Sequence, residues 1–337
     1  MKLHQKFGLI LSTISLLSFM SYANAETKVI ASIKPLHSLV SYVMDGVGTP
    51  GILVDGSSSP HTFQLKPSHA TMLQEADIVF WIGEDLESFL ETPLESIAAN
   101  SRHITLMESD EIELLKFREK NIFDGHDDHD DHGDEHDEHA DEHGDEHDEH
   151  DEHADEHGDE HDDHHDGHAH GEHDIHFWLD PEIAKTIVKI VTRELSEIDP
   201  SNASTYESNS TKAINEIDQL ISDTKSKINS NASYVVFHDA YQYFEKRFGV
   251  EVVGALTVNP EVLPGAKQLS EIREVIEHEN INCLFSEPQF NPSIAETIAK
   301  DTGVKAAVID PLGAELNPGR DLYFDLIGNI ASSFESC

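Results

Sequence analysis

The chain has 337 residues, of which 38% are hydrophobic, and a formal net charge of −44 at pH 7. A charge of that sign excludes nucleic acid and anionic membrane surfaces as partners and favours cations. It is unevenly spread: residues 124–174 hold 26 acids, 16 histidines and no Lys or Arg, which leaves the rest of the chain near −18.

The chain opens with "MKLHQKFG", then the apolar run "LILSTISLLSFM", then "SYANA" with its Ala-x-Ala ending at Ala25. This order predicts a secretory signal peptide over 1–25, cut before Glu26. The apolar run is too short to span a bilayer. No Cys stands at the cut to take a lipid. A soluble exported protein without a lipid anchor is expected.

Short apolar runs then alternate with helical patterns. "KVIASI", "ADIVFWIG" and "HITLM" read as buried strands in the first half, and "YVVFHDA", "EVVGAL", "NCLFSEP" and "KAAVID" in the second. Helical spacing is seen over 36–45, 84–100, 183–198, 268–279 and 293–302. Strands alternating with helices predict an α/β fold with parallel sheets covered on both faces. Between the halves, Ala213, Ile217, Leu220, Ile221 and Ile228 form one apolar stripe in a stretch without Gly or Pro. It predicts one long amphipathic helix, either a stiff connector between two lobes or a surface helix of one of them.

The acidic stretch is a near-repeat: "HADEHGDEHDEHDE" starts at His139 and again at His153. It cannot bury enough apolar surface to offset its ordering entropy, and a disordered loop is expected. Its histidines are His126, His129, His132, His136, His139, His143, His147, His150, His153, His157, His161, His164, His165, His168, His170 and His173. Imidazoles three or four residues apart, among carboxylates, can chelate in many combinations. That suits weak, exchangeable binding of several ions by an auxiliary loop rather than one fixed site.

Three histidines outside it follow strands or turns, where ligands of open α/β sheets bind. They are His61 in "GSSSPHTFQLKPS", His176 in "HFWLDPE" and His238 in "YVVFHDAY". Three neutral imidazoles and one oxygen make a tetrahedral Zn2+ site. Asp310, ending "KAAVID", is a candidate fourth ligand; water and Glu84 are alternatives, and Asp310 equally suits a turn cap. Cys283 and Cys337 are the two cysteines, and in an oxidising compartment they are expected to pair.

The pieces "ASIKPLHSLV", "PHTFQLKPS", "ADIVFWIGEDLE", "HFWLDPE", "VFHDAYQYFEKRFG", "VNPEVLPGAKQL", "CLFSEPQF" and "IDPLG" run nearly the length of the chain. In them the chain resembles the ZnuA-type zinc-binding proteins, the periplasmic receptors of bacterial ABC zinc importers. An acidic His-rich insertion ahead of the second ligand motif is a feature of that family. The resemblance implies two lobes joined by a long helix, with metal in the cleft. The expected division is an N-terminal lobe over 26–199 containing the loop at 124–174, a linker helix over 200–229 and a C-terminal lobe over 230–337. The resemblance also carries His61, His176 and His238 over as ligands, and Asp310 by analogy with manganese and iron relatives. Those relatives have Glu where His238 stands. Some zinc-type members have a ligating Glu at the position of Pro60, which leaves water or Asp310 as the fourth ligand here.

The expected function is therefore zinc reception in the periplasm by a monomer, with delivery to a membrane permease driven by a cytoplasmic ATPase and no catalysed reaction. The rivals are a zinc hydrolase, a periplasmic zinc-storage protein acting through the repeat, and the same receptor fold for manganese or iron. No H-E-x-x-H motif supports the first.

Overall fold

A computed structural model of the chain describes residues 26–118, 120–122, 171–228, 232–260, 262 and 264–337. The expected signal peptide over 1–25 and the loop histidines from His126 to His170 lie outside them.

The first half builds on β1 (Val29–Ile33), whose five residues are all buried, followed by α1 (Lys34–Val43) with Pro35 in its first turn. Then come β2 (Gly51–Val54), α2 (Pro67–Glu75), β3 (Ile78–Trp81), α3 (Glu91–Ser96), β4 (Arg102–Thr105) and α4 (Pro181–Ile198). The four strands make a parallel sheet in the order β2-β1-β3-β4. The helix expected over 84–100 is broken into a 3-10 turn, Ser88–Leu90, and the short α3. The cause is Glu87. Its carboxylate turns inward and accepts from the backbone N–H of Ile82 and Gly83, at 2.9 and 3.0 Å, which ties the start of the segment to the end of β3.

α5 (Ala203–Lys227) follows, 25 residues long and so about 37 Å at 1.5 Å per residue. It packs on α4, α1 and α9 (Leu322–Glu335), with Tyr206, Ala213 and Ile217 buried on one side. The second half repeats the strand–helix alternation: β5 (Ser233–His238), α6 (Gln242–Phe248), β6 (Glu251–Thr257), α7 (Ala266–His278), β7 (Ile281–Ser286), α8 (Ser293–Thr302) and β8 (Lys305–Val308). Its sheet is also parallel, in the order β6-β5-β7-β8. The expected disulfide joins Cys283 on β7 to Cys337, across Cα atoms 5.8 Å apart.

One hydrophobic cluster runs through both halves, from Val29 in β1 to Phe334 in α9. Buried Lys34 adds a polar tie: its Nζ donates to the carbonyls of Gly313, Ala314 and Leu316 at 2.8–3.1 Å.

The last residues of the acidic stretch, 171–174, belong to the fold. Lys116 and His173 form an antiparallel bridge. The Phe117 N–H donates to the Glu172 carbonyl at 3.1 Å and the Asp174 N–H to that of Leu115 at 2.8 Å. A few residues on, the outgoing chain reaches the other sheet, where the Ala255 N–H of β6 donates to the Asn121 carbonyl at 2.9 Å.

Candidate metal centre

Three segments meet in the crevice beyond the carboxyl ends of the two sheets. β2 leads through a Gly56 turn to a 3-10 turn, Pro60–Thr62, with Pro60 in its first turn and Ser59 as its cap; Ser59 Oγ accepts from the His61 N–H. His61 is half-buried on this loop. The second segment enters α4. Asp180 caps that helix by accepting from the Glu182 N–H at 2.9 Å, and Pro181 sets its first turn. Asp180 also takes a two-point grip from Arg247 of α6, at 2.7 and 2.8 Å. The 3-10 turn Phe177–Leu179 just ahead is fully buried and presents His176 at its start. The third segment is β5, which ends on His238.

The ligand atoms of His61, His176 and His238 all lie within 4.8 Å of one another, the one group of three or more potential metal-binding side chains among the described residues. The Nε2 atoms of His176 and His238 are 3.3 Å apart. The His61 ring centroid is 5.8 Å from that of His176 and 5.9 Å from that of His238. A tetrahedral ion with Zn–N bonds of about 2.0–2.1 Å requires ligand atoms about 3.3–3.4 Å apart, so the buried pair already spans one edge of such a site.

Each buried imidazole is oriented by a carboxylate. His176 Nδ1 lies 2.8 Å from Asp174 Oδ1, and His238 Nδ1 lies 2.8 Å from Glu287 Oε1. An ionised carboxylate only accepts, so both Nδ1 atoms carry the proton and both Nε2 atoms keep a lone pair for a metal. Burial, and then the neighbouring His238, hold the His176 pKa well below 6.5. Burial also pushes His238 downward, but Glu287 outweighs it and the net shift is upward. Burial lifts Asp174 to about 6 against the backbone hydrogen bond from His176.

Asp310 stands apart from the three imidazoles. Its Oδ1 accepts from the N–H groups of Leu312 and Gly313, both at 3.0 Å, and from Gln289 Nε2 at 2.8 Å, while Oδ2 accepts from the Ala314 N–H at 2.6 Å. It organises the turn after β8, the alternative role open to it in the sequence. Glu84 is exposed. Of the loop histidines, His173 is described; it lines a second depression that shares His61 and His176 with the first. The sequence reading missed both orienting carboxylates. Asp174 looked like one more acid of the run, and Glu287 lies 49 residues from its partner.

The family model described as "ZnuA: Zinc-uptake complex component A periplasmic" matches residues 29–337. The chain belongs to that family. Among its ZnuA relatives, the "High-affinity zinc uptake system protein ZnuA" of Brucella abortus (strain 2308) is 43% identical over 94% of this chain and 93% of its own length. The protein of the same name from Haemophilus influenzae is 40% identical over 96% of each. A solved ZnuA crystal structure superposes with a TM-score of 0.69 at 20% identity, covering 93% of this chain and 99% of that one, a likeness of fold.

Proposed function

We infer that the protein is a high-affinity zinc receptor of the periplasm, which binds Zn2+ between its lobes and passes it to the permease of an ABC importer. The observation that carries this reading is the pair of buried Nε2 atoms 3.3 Å apart, each with its Nδ1–H held by a carboxylate. Three imidazoles are a borderline donor set suited to Zn2+, whereas Mn2+ prefers carboxylate oxygens. Membership in a zinc-uptake family and a run of buried imidazoles point the same way.

Binding rather than turnover is the activity. A zinc hydrolase needs a general base beside the metal-bound water. Here Asp174 Oδ1 and Glu287 Oε1 each accept from an imidazole N–H. His61 and His176 come from segments of the first half and His238 from the second, so a relative shift of the halves removes ligands and lets the ion go. The protein acts as a monomer, and its His-rich loop assists zinc capture or sensing ahead of the cleft. Among the described residues no helix is long and apolar enough to cross a membrane.

The test is a competitive zinc titration of a variant lacking 124–170, which keeps the folded residues 171–174. It is run beside the same variant with His61, His176 and His238 changed to Ala. One tight zinc per chain, lost in the triple variant, is expected. No tight zinc in the shortened but folded chain would move the function to the repeat and make storage the better reading.

A further inference from the structure

The pocket lined by the three imidazoles is also lined by Gln289, Phe290 and Leu312. Gln289 lies three residues beyond β7. Its Nε2 donates to Asp310 Oδ1 at 2.8 Å. That carboxylate already receives three backbone N–H groups, so it can only meet a donor. The orientation of the Gln289 amide is therefore decided by its partner: nitrogen toward Asp310, oxygen away from it. Gln289 Oε1 is buried and meets no hydrogen-bond donor among the described residues. A buried acceptor without a donor is uncommon and calls for a reason.

We propose that Gln289 completes the metal centre: its Oε1 accepts a hydrogen bond from a water molecule that is the fourth ligand of the zinc ion. The proposal rests on His61, His176 and His238 being the zinc ligands. Amide oxygen is not among the usual zinc donors, whereas water in the fourth position is common. Held this way, the water fills the vertex that three imidazoles leave open, and Asp310 acts through Gln289 as a positioning residue.

The choice of an amide has a chemical consequence. A carboxylate at this vertex would add a negative charge and hold the ion more firmly. A neutral amide orients the water and leaves three neutral imidazoles as the whole protein donor set. An ion that demands six oxygen-rich ligands finds one oxygen here, so the arrangement selects for tetrahedral Zn2+ over Mn2+.

The test uses the full metal-free chain with Gln289→Leu and, as a longer apolar replacement, Gln289→Met; both remove the acceptor. Zinc affinity is read by competition with a chromophoric chelator. Geometry is read from the visible absorption of the Co2+-loaded protein, and folding from circular dichroism. The Leu variant is expected to fold normally, to bind zinc about ten- to a hundredfold more weakly and to show an altered Co2+ spectrum. The Met variant is expected to match it in affinity and spectrum. A Leu variant with unchanged zinc affinity and Co2+ spectrum would overturn the proposal, as would a Met variant that binds zinc as the parent does. His176→Ala run alongside separates the two readings. If it binds zinc as tightly as the parent, the histidine assignment has failed; if it loses zinc while Gln289→Leu does not, the assignment stands and the role of Gln289 falls.

Discussion

Asp174 Oδ1 holds His176 twice: it accepts from the ring Nδ1–H at 2.8 Å and from the backbone N–H at 2.9 Å. One oxygen thus sets the tautomer, the ring direction and the local backbone of a single buried imidazole. Asp174→Ala removes all three. Partners of this kind commonly contribute ten- to a hundredfold to metal affinity. The variant is expected to remain folded and to lose zinc affinity in that range by competitive titration. An unchanged affinity would mean that packing against Trp178, 5.3 Å away ring to ring, suffices to hold His176.

His238 makes zinc binding sensitive to acid. A metal-bound imidazole must be neutral at its ligand nitrogen, and its pKa in the metal-free protein stands above 6.5, because Glu287 outweighs the downward push of burial. His176 is held well below that value, so it stays neutral through the same range and adds no proton. Zinc affinity should be flat at high pH and fall as pH drops through the His238 titration. Glu287→Gln should weaken binding on the plateau yet move the onset of the fall to lower pH. Affinity measured against pH for both proteins decides this, and an onset that stays put would separate Glu287 from the proton.

Glu87 predicts a pH dependence of stability independent of zinc. Burial lifts its pKa from 4.5 to about 7, against backbone hydrogen bonds from Gly83 and Ile82. The folded chain thus binds this proton more tightly than the unfolded one. The contribution is full below 4.5 and is lost as pH rises toward 7, on the order of 3 kcal/mol at most. Glu87→Gln keeps a buried neutral group. The metal-free variant should lose less stability than the parent between pH 5 and pH 8 in denaturant unfolding. Parallel losses in the two proteins would show that Glu87 titrates alike in the folded and unfolded chain.

The Cys283–Cys337 disulfide closes a separation of 54 residues. In the chain-entropy model a loop of that length contributes about 4 kcal/mol. Changing both cysteines to Ala should therefore lower the unfolding midpoint strongly. It should leave zinc affinity nearly unchanged, since neither cysteine touches the three imidazoles or the carboxylates that orient them. Loss of zinc binding in the still-folded variant would show that the C-terminal anchor shapes the cleft.

The alternation of strands and helices was legible because parallel strands covered on both faces are short unbroken apolar runs, as in "VIASI" and "IVFW". β2 was not, since "GILV" is four residues long and only half buried. α9 was hidden by Gly328 within its apolar pattern. The helix over 84–100 was read through Glu87 as though it faced water. The three histidines that meet in the crevice could be picked out because each follows a strand or turn. What orients them could not, because strand pairing creates it. Glu287 reaches His238 only because β7 lies beside β5, and sequence carries no mark of that register. Asp310 was legible as a carboxylate at the end of a strand. Three of its four donors come from the turn it builds and the fourth from Gln289, which only the folded chain reveals.

The bridge between Lys116 and His173 brings the chain back beside the point it left. An insertion rooted at such a point begins and ends at one place, however many residues lie between. Its length enters the folding free energy only logarithmically, about 0.6 kcal/mol for each doubling. Copying a block such as "HADEHGDEHDEHDE" therefore alters the number of imidazoles while leaving the cleft as it was. The same neutrality makes the neck a natural place to graft a foreign sequence.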